Sequence, residues 1–318
     1  MNGCEKVISA FLDEPVTNIR IISEGHINKT FLAGGRNGYI LQCLNPELYR
    51  DHVCELLDNY DKYRRACDEK SCAPHPWICP EWLTDRDGQR LHTDDKGDIW
   101  RMYRYIPSDD PNDKISPATV YEIGRGLGRL HAILKDCKGI RTVPTMAHLH
   151  DLKYHYDRYC GKRELKQNRI AELDRAIDRG IRDMMDVTVA RDNIIHGDAK
   201  CSNMVFKDGI VVGFIDLDTL MEGSVFYDIA DAARSCAVDE KGLCDRRKIG
   251  ELLAGYEDGA KTSLEDGATA LTVKHVARSR FILGIRYYTD YLFGEHYFAE
   301  DVPGRTLKRA KELLLTSA

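Results

Sequence analysis

A chain of 318 residues, 43% hydrophobic and 31% charged, has the profile of a globular protein with room for one large or two modest domains. Its formal net charge of -5 excludes attraction to a nucleic-acid backbone as the main business of its surface. No window approaches the ~18 consecutive apolar residues that cross a bilayer, and the acidic opening MNGCEKVISAFLDEP does not read as a signal peptide. The expectation is a cytoplasmic protein without membrane or nucleic-acid partners.

In chain order, Val16 to Ile22 is an expected strand, followed by a polar turn from Ser23 to Asn28. Thr30 to Ala33 and Tyr39 to Leu44 flank Gly34-Gly35-Arg36-Asn37-Gly38, whose glycines and Asn tolerate the positive φ of a hairpin loop. From Asp51 to Ala66, the spacing of Val53, Leu56, Leu57 and Tyr60 predicts a helix. Trp77 to Leu83 and Ile99 to Ile106 are further strands around the Asp87-Gly88 turn, so the first hundred residues read as sheet with one helix. Among the eleven cysteines, Cys67, Cys72 and Cys79 cluster with His75, but without the paired ligand spacing of a zinc site. They read as ordinary loop and core residues.

The stretch from Pro107 to Pro117 is polar, turn-rich and contains three prolines, and it marks a boundary. Ser116 can cap a following helix with Pro117 at its first position, and Val120, Ile123, Leu127, Leu130 and Leu134 then share one face. Beyond it the chain is mostly helical, apart from a strand-rich stretch between Ile194 and Leu217. The expected architecture is α+β in two lobes, a β-rich lobe over residues 1–106 and a larger helical lobe over residues 107–318.

Chemistry concentrates in Ile194-Ile195-His196-Gly197-Asp198-Ala199-Lys200-Cys201-Ser202-Asn203 and in Phe214-Ile215-Asp216-Leu217-Asp218. Apolar strands joined by Lys207-Asp208-Gly209 each present polar groups at one end. Singly, such residues usually just make turn hydrogen bonds. Together, a carboxylate, an amide and a second carboxylate are what phosphoryl transfer requires: one accepts the proton of the attacking hydroxyl, the others hold Mg²⁺ on a triphosphate.

The pattern H-x-D-x-x-x-x-N followed by I-D resembles the protein-kinase-like superfamily, especially its aminoglycoside phosphotransferase and choline kinase branch. The resemblance implies ATP and Mg²⁺ as cofactors, Asp198 as catalytic base, Asn203 and Asp216 as metal ligands, His196 as a loop brace, and Asp228 as the helix-borne carboxylate that fixes the catalytic loop. Phe214 through Gly223, continuing by Tyr227-Asp228 to Asp231-Ala232-Ala233-Arg234, is similar to the N-acetylhexosamine 1-kinases. So are Gly25-His26-Ile27-Asn28-Lys29-Thr30-Phe31 with Tyr39-Ile40-Leu41-Gln42, Trp100-Arg101-Met102-Tyr103, and Arg286 through Leu292 with Gly294 and Tyr297-Phe298. These blocks reach from about residue 20 to about residue 312. They imply nucleotide contacts at Ser23, Gly25, His26, Asn28, Thr30, Gln42, Tyr103 and Tyr105, and an amino-sugar acceptor at Arg286 and Tyr297.

Two departures stand out. Gln42 occupies the position where a protein kinase carries its phosphate-contacting lysine, and the glycine-rich loop is reduced to Gly25. Lys200, two residues after the expected base, becomes the source of positive charge at the phosphates. The acidic partner that the resemblance implies on the 51–66 helix is open between Glu55 and Asp58. The implied activity is phosphorylation of the anomeric hydroxyl of GlcNAc or GalNAc. Asp109, Asp110 and Asp113 keep a cationic acceptor open, an aminoglycoside, a choline-like amine or an amino alcohol. A non-catalytic nucleotide-binding scaffold is the third reading, disfavoured because Asp198, Asn203 and Asp216 are all present.

Overall fold

The computed structural model describes residues 2–14, 16, 18–22, 28–34, 38–70, 76–109, 115–164, 167–187, 192–294, 298 and 304–316. Strands β1 (Arg20–Ile22), β2 (Lys29–Ala33), β3 (Tyr39–Cys43), β4 (His92–Thr93) and β5 (Ile99–Arg104) form one antiparallel sheet in the order β1-β2-β3-β5-β4. β1 is shorter than its apolar pattern because Asn18 sits at φ 61°, a conformation that an extended strand does not hold. Along β5 the side chains alternate. Trp100 and Met102 join Leu41 and Ala33 beneath helix α1 (Asn2–Phe11), which covers them with Val7, Ile8 and Phe11. Arg101 and Gln42 are paired across β5 and β3 on the opposite face, toward the second lobe.

The sheet lobe carries three helices rather than one, α1, α2 (Pro46–Tyr49) and α3 (Val53–Lys70). The expected strand over residues 77–83 is absent. Ile78 forms a single bridge to Gly213 and Trp82 a single bridge to Tyr103, so the segment divides its backbone hydrogen bonds between the two lobes. Pro80 removes a ladder donor in its middle, and its carbonyl accepts the Tyr60 hydroxyl of α3 at 2.7 Å.

The helical lobe begins as the sequence indicates. Ser116 Oγ accepts the Thr119 N–H at 3.1 Å and caps α4 (Pro117–Leu134), whose Val120, Ile123, Leu127, Leu130 and Leu134 are fully buried. Five further helices follow: α5 (Leu152–Arg163), α6 (Ala171–Met185), α7 (Val225–Cys236), α8 (Arg246–Ala260) and α9 (Ala268–Phe293), with α10 (Arg305–Leu315) closing the chain against α9. The strand-rich stretch resolves into two separate pairs. β6 (Asn193–Ile195) pairs with β9 (Met221–Gly223), while β7 (Met204–Lys207) and β8 (Ile210–Phe214) form a hairpin whose Asp208 and Gly209 lie at φ 54° and 75°. Among the described residues no helix is long and apolar enough to cross a membrane. Cys67 is buried and Cys79 half-buried, whereas Cys72 and His75 lie outside the described residues.

Helices α4 and α8 touch backbone to backbone. A Cβ on Gly124 would stand 1.9 Å from the Leu252 carbonyl oxygen, and one on Gly255 would stand 2.0 Å from that of Tyr121. Rigid backbone cannot yield to such a contact. Gly255→Ala is expected to destabilise the protein by about 1–3 kcal/mol through overpacking. Gly250→Ala, on the same helix with nothing within 4 Å, should stabilise it, by about 0.5–1 kcal/mol from helix propensity. Urea unfolding of the two variants checks the contrast, and equal midpoints would contradict it.

Candidate active site

The loop between β6 and the short turn Cys201–Asn203 is organised by a buried carboxylate. Asp228, in the first turn of α7, accepts the backbone N–H of His196 at 2.7 Å and of Gly197 at 2.8 Å, and its Oδ2 lies 2.9 Å from His131 Nε2 on α4. Burial alone would raise its pKa, but the His131 hydrogen bond, the nearby imidazoles and the His196 amide hold it below the usual carboxylate range. His196 is buried as well, and its Nε2 lies 3.0 Å from the Ile215 carbonyl, tying the loop to the end of β8. Gly197 turns at φ 83°, and a Cβ there would meet the Thr219 carbonyl oxygen at 2.4 Å. Both residues expected to brace the loop therefore meet it directly.

The turn aims Asp198 outward. Its Oδ2 accepts Lys200 Nζ at 2.8 Å and Asn203 Nδ2 at 3.1 Å. Burial opposes ionisation of Asp198, but the Lys200 ammonium, with Arg234 behind it, keeps its pKa low, so the carboxylate is charged. Asn203 also donates Nδ2 to the Asp198 carbonyl at 2.8 Å, which leaves its Oδ1 as the outward acceptor. Asp216 follows β8 at φ 62°, ψ 53°, and its carboxylate makes no hydrogen bond to cap the short turn that it begins. Burial and then the neighbouring Asp218 push its pKa up. An oxygen-only donor set of this kind fits a hard divalent cation on a polyphosphate.

A second network joins the lobes. Arg101 donates to both Asp218 oxygens, at 2.6 and 2.8 Å, with each side chain only 3% exposed. Its Nε donates to Gln42 Oε1 at 2.8 Å, Gln42 Nε2 donates to Thr30 Oγ1 at 3.1 Å, and Asn28 Nδ2 donates to Asp218 at 3.1 Å. Three residues expected at the nucleotide, Asn28, Thr30 and Gln42, are thus held by one another. The α3 carboxylates do not take part: Glu55 lies 4.0 Å from His52, and Asp58 pairs with Lys62 and Arg141. The carboxylate facing the sheet comes from Asp218, two residues after Asp216. That partner was missed in the sequence. Its signals were an arginine set between the apolar Trp100 and Met102 of β5 and a second aspartate in the I-D-L-D run.

One cavity of about 380 Å³ runs from Asn28, Thr30 and Gln42 past Asp198, Lys200 and Asp216 to α9 and α10, where Arg286 reaches it. Tyr103 is half-buried beside Arg101, and the Tyr105 N–H donates to the Gly38 carbonyl at the end of β5. Ser23, Gly25, His26 and Tyr297 lie outside the described residues. Two features of the cavity had no sequence assignment. His150 Nε2 lies 2.9 Å from the Gly197 carbonyl while its ring stacks on Tyr227. Arg234 pairs with Asp231, which also accepts the Ser279 hydroxyl at 2.9 Å.

Solved structures of the same fold include an amicoumacin kinase in complex with AMP-PNP and Ca²⁺, with a TM-score of 0.66 at 12% identity over 99% of this chain and 93% of that one. A microcompartment-associated aminopropanol kinase matches with a TM-score of 0.66 at 16% identity over 99% and 95%. A spectinomycin phosphotransferase with ADP and spectinomycin matches with a TM-score of 0.61 at 11% identity over 98% and 93%. Across residues 18–266 the sequence matches the phosphotransferase enzyme family, and the chain belongs to that family.

Proposed function

We propose that this phosphotransferase is an ATP- and Mg²⁺-dependent kinase that phosphorylates the anomeric hydroxyl of an N-acetylhexosamine. The observation that carries the reading is one cavity lined by the charged Asp198 carboxylate, by Asp216 and by four arginines, Arg234, Arg286, Arg305 and Arg309. In the mechanism we infer, Asp198 orients the sugar hydroxyl and takes its proton late, as a loose phosphoryl transition state allows. Lys200, drawn toward Asp198 before substrates bind, offers its ammonium to the transferred phosphoryl oxygens. Asn203 Oδ1 and Asp216 would hold Mg²⁺, which supplies neutralisation of the triphosphate charge. His196 and Asp228 keep the loop in register. Asn28, Thr30 and Gln42 present the sheet face to the nucleotide, with Ser23, Gly25, His26, Tyr103 and Tyr105 as its remaining contacts. The boundary between the two lobes falls at residues 106 and 107.

The far end of the cavity favours a sugar over a polyamine. Arg286 of α9 and Arg305 and Arg309 of α10 line it, while Asp231 is paired with Arg234. A site for an aminoglycoside or a choline-like amine calls for acidic groups or an aromatic cage. Asp109, one of the acids that kept this alternative open, is engaged elsewhere: its Oδ2 accepts the Asp208 N–H at 2.7 Å. Arg286 and Tyr297 remain the proposed sugar contacts.

An acceptor panel with ATP and Mg²⁺, read by nucleoside diphosphate release, tests the reading. GlcNAc or GalNAc should be turned over with loss of reducing-end signal, and proton-coupled phosphorus NMR should show the new phosphate coupled to an anomeric proton. A 6-phosphate product, or turnover confined to choline or kanamycin, overturns the 1-kinase assignment. Asp198→Asn should lower kcat by roughly two to four orders of magnitude while nucleotide still binds by calorimetry; near wild-type turnover would remove Asp198 from the base role. Lys200→Ala should lower kcat roughly 10²-fold, as loss of one transition-state donor does, with a smaller change in the KM for ATP. A variant of unchanged kcat/KM would assign Lys200 to solvent.

A further inference from the structure

One group at the wall of the cavity beside Asp198 has no part in the mechanism above. His150 lies just before α5 and reaches the turn that carries Asp198, where its Nε2 lies 2.9 Å from the Gly197 carbonyl. One face of its ring stacks on Tyr227 of α7, with centroids 4.7 Å apart and planes 19° from parallel. Its own carbonyl accepts Arg278 Nη1 at 3.1 Å, so the residue is held at three points. These contacts fix the tautomer. A carbonyl oxygen can only accept, so Nε2 carries the proton and Nδ1 keeps a lone pair. Burial holds the ring's pKa below the ordinary histidine value, against the pull of the Asp231 and Asp228 carboxylates, and the ring is neutral at neutral pH. Nδ1 has no hydrogen-bond partner among the described residues, yet it is not sealed away. The fully buried imidazole nitrogens without a partner, among those residues, are in His52, His155 and His275. Nδ1 is therefore open to the cavity that the ring lines together with Gly197 and Asp198.

We propose that His150 is a substrate-binding residue whose Nδ1 lone pair takes a hydrogen bond from the acceptor, at the ring carbon next to the reacting hydroxyl. The proposal rests on the sugar 1-kinase reading and names the contact that orients the ring at Asp198. The carbonyl that His150 binds belongs to the peptide joining Gly197 to Asp198, so imidazole and carboxylate are registered through one peptide unit. A pyranose with its anomeric hydroxyl on Asp198 carries its nearest other donor at C2. That donor is an amide N–H in an N-acetylhexosamine and a hydroxyl in a hexose. Either one satisfies the lone pair, whereas a carbonyl, an ether oxygen or a methylene group does not. His150 thus reads the presence of a donor at C2, and the acetyl group is left to other contacts. Because Nε2 is tied to Gly197 and the ring is stacked on Tyr227, the imidazole cannot turn its N–H toward the sugar without giving up the Gly197 bond. An acceptor without the donor leaves the lone pair unpaired in the closed site and is penalised for it.

The test is a cycle between residue and substrate. Initial rates with ATP and Mg²⁺ are measured for the preferred of GlcNAc and GalNAc and for its 2-deoxy counterpart, which has no donor at C2. The enzymes compared are the wild type, His150→Gln and His150→Phe. Phenylalanine keeps an aromatic face for Tyr227 and removes both nitrogens. It should lower kcat/KM for the N-acetyl sugar by on the order of 10- to 100-fold more than for the 2-deoxy sugar, which has no bond to lose. Glutamine, whose amide can donate to Gly197 and accept from the sugar, should retain part of the difference. An equal loss on both sugars makes His150 a brace for the loop and overturns the proposal, as does an unchanged kcat/KM. A wild-type enzyme that phosphorylates other acceptors but neither sugar overturns the 1-kinase reading, and the proposal falls with it. Nitrogen-15 NMR of the wild type decides where His150→Phe does not fold or the 2-deoxy sugar reacts too slowly. The Nδ1 signal, assigned by its loss in His150→Gln, should be that of an unprotonated imidazole nitrogen. It should shift when the N-acetyl sugar binds beside a non-hydrolysable ATP analogue and stay in place with the 2-deoxy sugar. A protonated Nδ1, or one that the N-acetyl sugar leaves unmoved, overturns the proposal.

Discussion

The buried ion pair between Arg101 and Asp218 is the constraint on which the arrangement of the two lobes depends. Both charges are removed from water; Arg101 is satisfied by Asp218, by Gln42 and by the Trp82 ring beneath it, and Asp218 by Arg101 and Asn28. Desolvation makes such a pair a poor source of net stability, but losing one member leaves an isolated buried charge, at a cost of about 3–5 kcal/mol. The pair therefore acts as a registration device. It holds the sheet face that carries Thr30 and Gln42 directly over the segment that carries Asp216. A kinase built on a lysine and a helix glutamate places that cation on β3. Here β3 supplies a neutral amide, the neighbouring strand supplies the guanidinium, and the carboxylate comes from the opposite lobe.

The same logic recurs beneath the loop that carries Asp198. Asp228 is fully buried, and its cost is offset by two consecutive amides of the His196-Gly197 turn and by His131 of α4. Because these partners belong to a loop and to a separate helix, the carboxylate cannot shift without breaking bonds to both. The loop it holds is short, and Asp198, Lys200 and Asn203 are therefore fixed relative to one another before any substrate arrives. Preorganisation of this kind lets charged groups act in a water-poor site without reorganising during the reaction.

The helical lobe supplies rigidity by close approach instead of by charge. α4 and α8 cross on glycines, so their backbones meet directly, and α4 brings His131 to Asp228 while its Gly126 faces Val211 of the hairpin. α9, at 26 residues, spans the lobe and delivers Ser279, Ile282 and Arg286 to one side of the cavity. The arginine at that side of the cavity is there because of which face of the helix is turned inward.

Sequence determined the elements whose signals are local. The Ser116-Pro117 cap, the apolar stripe of α4, the Asp208-Gly209 turn and the spacing that unites Asp198, Asn203 and Asp216 can be read residue by residue, because each is dictated by backbone preference or by short-range chemistry. Helix α1 was legible too, since Cys4, Val7, Ile8 and Phe11 recur at helical spacing, although the expectation of a single helix in the sheet lobe overlooked it. Tertiary structure alone decided the rest. Residues 77–83 have a strand's composition but no single partner strand, and their hydrogen bonds are shared between lobes. Gln42 and Arg101 are 59 positions apart, and Arg101 and Asp218 are 117 apart, so no local pattern couples them. The orphaned nitrogen of His155 is likewise a property of its surroundings. Burial and pairing are relations between distant segments, and they come into being only when the chain closes on itself.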